Sequence, residues 1–164
     1  MKFRGSEYYS STWHRCQQIL MLSSFPVAVK MLEDAKILDK IKDGKGMPVR
    51  QVDHKLTICQ LLGQARYWGV AQGGTAEMLS MCVSGGAYMG FWELPEDYAD
   101  RYAEGYFVGN KELARKTVAS VPRFEPGKYA AMIASSLEKT PVDPDVVIFF
   151  PNVAQTLILT SGCE

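Results

Sequence analysis

The chain has 164 residues, 47% hydrophobic and 22% charged, with Lys plus Arg and Asp plus Glu equal at 18 each. That length fits one domain with a sizeable core, and the balanced charge excludes the basic footprint of a nucleic-acid or anionic-membrane binder. No run reaches the roughly 20 apolar residues of a membrane span. The cysteines, Cys16, Cys59, Cys82 and Cys163, are too few for a disulfide scaffold, so we expect a cytoplasmic protein with free thiols.

Glu7 to Leu22 places Tyr9, Trp13, Cys16, Ile19, Leu20 and Leu22 close to a helical stripe. Trp13-His14-Arg15 and Gln17-Gln18 break it too often for a signal-peptide core. Phe25 to Leu32 is an apolar, β-branched run opened by Pro26, which predicts a buried strand. Lys30 within it either pairs with a carboxylate or phosphate or is solvated. Asp39 to Gly46 is charged and glycine-punctuated, hence a surface loop, and Pro48 to Asp53 predicts a short strand.

Thr57 opens a helix with a capping box toward Gln60. Leu61, Leu62, Ala65 and Trp68 follow at helical spacing, and Gly69 is the stop. Arg66 on this helix attends an anionic ligand or makes an outward salt bridge. Thr75 to Met81 reads equally as strand or short helix. Pro95 to Glu104 and Lys111 to Ala119 are helices. Tyr129 to Ser135 and Asp145 to Phe150 are strands; the near-continuous apolar character of the second predicts a central strand buried on both faces. Pro151 then leads into a helical pattern at Val153, Ala154, Leu157 and Ile158.

The fold class is therefore α/β. We expect a single domain over residues 1–164, with a mixed sheet containing Val27–Met31, Tyr129–Ala134 and Val146–Phe150 and helices packed on it.

Chemistry concentrates at two cysteines. Cys59 falls in the first turn of the Thr57 helix, and Cys82 runs into Ser84-Gly85-Gly86. Outward-pointing backbone N–H groups at such places stabilise thiolate over thiol. Ser84-Gly85-Gly86 is expected to form an anion-accepting turn whose N–H groups converge on a bound anion or a cysteine sulfur. If Cys59 and Cys82 share a site, their sulfurs should approach as ligands of one small centre. Cys16 reads as core. No phosphate loop, dinucleotide fingerprint, C-x-x-C pair, H-E-x-x-H or G-x-S-x-G is present. His54 reads as a surface histidine in a charged turn rather than the base of a cysteine nucleophile.

Pro26-Val27-Ala28-Val29-Lys30, then Cys59 with its Gln-Leu-Leu-Gly-Gln-Ala-Arg helix, then Cys82 before Gly85-Gly86 and Gly90-Phe91, come in a specific order. With Pro144-Asp145-Val146-Val147-Ile148-Phe149 and Pro151-Asn152-Val153-Ala154-Gln155, this order resembles the family of domain of unknown function number 169. The family is spread among anaerobic bacteria and archaea. Its members usually continue past the helix at Pro151, so the resemblance implies either the N-terminal portion of a longer family fold or a shortened relative.

Two function classes follow. In the first, the protein is a binding or redox protein in which Cys59 and Cys82, with Cys163, hold a metal centre such as an iron–sulfur cluster, or act as reactive thiols. A cluster normally takes four thiolates, so further ligands would come from a non-cysteine group, the missing C-terminal region or a second subunit. In the second, it is a cofactor-free small-molecule-binding or homo-oligomeric assembly module with structural cysteines. There the aromatic middle segment (Tyr67-Trp68, Tyr88, Phe91-Trp92, Tyr98, Tyr102, Tyr106 and Phe107) forms a pocket or interface. Neither class involves nucleic acid or membrane.

Overall fold

Strand β1 (Val27–Leu32) organises the molecule because its alternate side chains serve two different layers. A computed structural model describes residues 5–42, 49–105 and 110–161. The other elements are α1 (Ser6–Leu20), β2 (Arg50–Gln51), α2 (Ile58–Trp68), β3 (Ala71–Thr75), α3 (Val83–Tyr88), α4 (Tyr98–Gly105), α5 (Lys111–Ser120), β4 (Ala131–Ser136), β5 (Val146–Ile148) and α6 (Val153–Ser161). Short 3₁₀ turns span Ala35–Lys40 and Leu137–Lys139.

The five strands form one sheet in the order β2-β3-β4-β1-β5. The β2–β3 pair is parallel and the other pairs are antiparallel, so the sheet is mixed and the α/β reading holds. On one face Val27 and Val29 meet Met132 and Ala134, covered by Leu61 and Ala65 of α2. On the other, Ala28 packs with Tyr9 of α1, and Leu32 packs with Leu38, Ala131 and Ile133. Side chains as fully buried as Met132 and Ile133 contribute about 1.5–3 kcal/mol each.

The central strand is β4, every residue of which is buried. The expectation that Val146–Phe150 is central is corrected: β5 ends at Ile148, pairs only with β1 and lies at the sheet edge, with Val146 52% exposed. The apolar run is used beyond the strand instead. Phe149 packs on Trp13, Leu20 and Leu22, while Phe150 joins the α2 side of the core.

Glycine hid β3 from sequence reading. A side chain at Gly73 would overlap Leu38 on one face, and one at Gly74 would press on Leu79 on the other, so these two glycines let the strand be covered closely from both sides. Thr75 closes the strand, and residues 76–81 are turns rather than strand or helix. The Thr57 capping box and the left-handed Gly69 stop form as expected. Among the described residues, no helix is long and apolar enough to cross a membrane.

Candidate functional site

Strand periodicity puts Lys30 on the face of β1 that also carries Ala28 and Leu32. A cation in that row needs a partner, because desolvating an unpaired charge is costly. Asp145 supplies it from the residue just before β5. Its Oδ1 accepts from Lys30 Nζ, its Oδ2 accepts from the Met31 N–H at 2.8 Å, and its own N–H donates to the Val29 carbonyl at 2.8 Å. Two residues earlier, Asp143 accepts from the Tyr9 hydroxyl of α1. The 141–145 segment is thus fastened to both the sheet and α1.

This fastening frames a cleft of about 800 Å³. Tyr9, Ile41, Pro141, Val142 and Pro144 give it an apolar wall, and Lys30, Lys40, Lys42, Asp143 and Asp145 give it charge. Lys30 is matched to Asp145, and Asp143 is engaged by Tyr9. Lys40 and Lys42 are exposed and make no ion pair among the described residues. The local field therefore favours an anion beside an apolar surface.

The two cysteine segments meet elsewhere, on the α2 side. Gln60 N–H donates to Thr57 Oγ1 at 3.1 Å and Thr57 N–H donates to Gln60 Oε1 at 2.8 Å, which leaves Cys59 exposed on the second residue of α2. Cys82 is half-buried at the N-cap of α3, with its sulfur folded against Gly85. Ile58 Cδ1 lies 3.6 Å from the point a Gly85 Cβ would occupy, so the first turns of α2 and α3 adjoin. The Leu56 N–H donating to the Met78 carbonyl at 2.9 Å holds the approach.

The Ser84-Gly85-Gly86 turn is corrected to a helix. The Gly86 N–H is committed to the Cys82 carbonyl at 2.9 Å, and a side chain at Gly86 would overlap the Trp92 ring. Trp92 Nε1 in turn donates to the Val83 carbonyl at 2.9 Å. Packing accounts for the glycine pair: one position receives the Cys82 sulfur and the other the Trp92 indole.

Among the described residues no three His, Cys, Asp or Glu side chains come together as metal ligands. Cys163 lies outside the described residues, as do Tyr106 and Phe107. Cys16 is half-buried, and desolvation pushes its thiol above the usual range against the weaker pull of Arg15.

His54 turns its Nδ1 to Asp53 at 2.7 Å, and this hydrogen bond holds the Asp53 carboxyl below its ordinary range. Arg66 makes no salt bridge among the described residues. Its guanidinium lies 3.9 Å over the Phe150 ring and 4.7 Å from the Tyr67 ring, with Nε donating to Ser24 Oγ at 3.2 Å.

The described residues of the aromatic segment occupy several settings. Tyr67 and Trp68 are exposed at the end of α2, whereas Phe91 is buried beside Trp92 and the Tyr98 ring lies tilted against Tyr102. Burial, reinforced by Tyr98, pushes the Tyr88 hydroxyl up.

Sequence reading passed over the Lys40–Lys42 pair and Asp143 because each looked like an ordinary loop residue. The available signal was Pro-Val-Asp-Pro-Asp immediately ahead of an apolar run, which stations two carboxylates at the mouth of a strand.

No curated protein and no solved structure matches the chain. A family model described as uncharacterised ArCR, the domain of unknown function DUF169, matches residues 15–163. The chain belongs to that family.

Proposed function

We propose that the protein is a small-molecule-binding module that takes a small organic anion, carboxylate or phosphate, in the Lys30–Asp145 cleft. The observation that carries this reading is the pair of lysines without carboxylate partners among the described residues, Lys40 and Lys42, facing an apolar wall. The cavity of about 800 Å³ falls in the range of about 300–1,000 Å³ typical of ligand pockets. The anionic group lies against Lys40 and Lys42, and the apolar part rests on Tyr9, Val142 and the prolines. Lys30 and Asp145 hold each other and keep the wall in place.

Calorimetric titration with benzoate, phenyl phosphate and neutral benzyl alcohol tests this. Replacing both of these lysines (Lys40→Ala with Lys42→Ala) should weaken binding of the anions by about tenfold, since each partly solvated charge contact is worth about 0.2–1 kcal/mol. Benzyl alcohol should be indifferent to the change. Anion affinity that survives the double replacement counts against the reading, and the two acids separate a carboxylate preference from a phosphate one.

The contact between the first turns of α2 and α3 favours a second reading, in which Cys59 and Cys82 act as neighbouring reactive thiols or as ligands of a metal centre. A cluster at this place would draw its remaining ligands from Cys163 or a second subunit. Metal content and absorbance of anaerobically purified protein test it; Cys59→Ser and Cys82→Ser should each abolish the same signal. Free thiols at Cys16, Cys59 and Cys82 fit a reducing cytoplasm.

A further inference from the structure

Gly63 sits in the middle of α2 with no close neighbour among the described residues that requires a glycine there. Glycine is among the poorest helix formers; Leu38 at Gly73 and Trp92 at Gly86 account for two others by close approach, and the other glycines that stand open, Gly5, Gly105 and Gly127, lie at helix ends or in a turn. Beyond its own helix backbone and chain neighbours, no atom of the described residues lies within 4 Å of the Gly63 Cβ position, and its φ is not in the left-handed region. Over it runs a groove of about 350 Å³ lined by His54, Leu56, Gln60, Gln64, Tyr67 and Trp68. Tyr67 and Trp68 are 63% and 69% exposed, an unusual placement for two rings side by side.

Polar groups converge on the same groove. Gln60 commits Oε1 to the Thr57 cap, which leaves its NH₂ group. His54 commits Nδ1 to Asp53, which leaves Nε2. The Gln64 amide makes no hydrogen bond among the described residues. We infer that this groove binds a planar heteroaromatic ligand. Its ring passes over the bare backbone at Gly63 and stacks on Tyr67 or Trp68, and its heteroatom edge is read by the Gln60, Gln64 and His54 side chains. Two glutamines and a histidine suit such an edge better than they suit a second copy of the chain, because the centre of a homodimer interface is apolar. Lys30 belongs to the opposite face of the sheet, so this site does not depend on the anion cleft.

Adenosine and riboflavin are the probes, with ribose as the non-planar control, titrated while the Gly63 and Gln64 amide resonances are followed. At least one planar probe should bind and shift both resonances, and ribose should leave them unmoved. Gly63→Ala adds a methyl group in the path of the ring. It should raise Tm by about 2–4 °C through helix propensity while weakening the probe by about tenfold. Trp68→Ala should weaken it similarly. The inference is overturned if neither planar probe binds at about 5 mM, or if Gly63→Ala is stabilised and binds as well as the parent. Sedimentation showing a dimer that Gly63→Ala dissociates would assign the face to a second copy and overturn it too.

Discussion

The Asp145 carboxylate serves Lys30 with one oxygen and the Met31 backbone with the other, so a single side chain fixes both the cation of β1 and the strand that follows the loop. The two side chains are 33% and 45% exposed, and solvent screening limits the ion pair itself to a modest share. Asp145→Ala should lower unfolding free energy by about 1–2 kcal/mol, combining that pair with the lost backbone bond. Asp145→Asn should lose roughly half as much, because an amide oxygen still accepts from Met31. Urea denaturation distinguishes the two. Equal losses would show that the Met31 bond contributes nothing.

Trp92 rests where a Gly86 side chain would be. Gly86→Ala should therefore destabilise the protein by about 1–3 kcal/mol, the usual cost of overpacking, and should change tryptophan fluorescence. An unaltered midpoint and spectrum would mean that the indole does not pack on α3.

Thiol reactivity should follow position. With Cys163 replaced by serine, alkylation should proceed at exposed Cys59 first, at half-buried Cys82 next and at Cys16 last. Burial raises the Cys16 thiol, so less thiolate is present at neutral pH and its labelling should speed up as the pH is raised. Mass spectrometry of timed aliquots reads the order. Fast labelling of Cys16 would contradict the packing of α1 against Leu159 and its neighbours.

The first turn of α2 should depend on its cap. Thr57→Ala removes the hydroxyl that accepts the Gln60 N–H and should cost about 1 kcal/mol. Serine at the same position should restore most of it, measured by thermal denaturation. No loss in the alanine variant would show that water replaces the hydroxyl without penalty.

What was legible in the sequence was local. The Thr57 box, the Gly69 stop and the β-branched run at Val27 each declare themselves within a few residues. Strand β3 did not, because Gly73 and Gly74 serve close neighbours, Leu38 from far earlier in the chain and Leu79 from the turn that follows the strand. The apolar run at Val146 suggested a central strand, yet its hydrophobicity is divided between a short edge strand and two phenylalanines that pack beyond it. The cleft was illegible for a related reason. Tyr9, Lys30 and Asp145 are ordinary residues singly, and only the β1–β5 register and the α1 crossing bring them together. The cysteines drew attention through their local settings, and both settings are helix starts, as expected at Cys59, which is exposed, with Cys82 packed against Gly85.

The anion cleft is tested most directly by mapping benzoate onto the ¹H–¹⁵N spectrum of the intact protein. Saturable shifts should cluster at Lys30, Ile41, Val142 and Asp145, leave α2 unmoved, and shrink as salt rises, since exposed lysine–anion contacts are screened over about 10 Å at 0.1 M. Shifts confined to other parts of the sheet, or none at millimolar benzoate, would contradict the account.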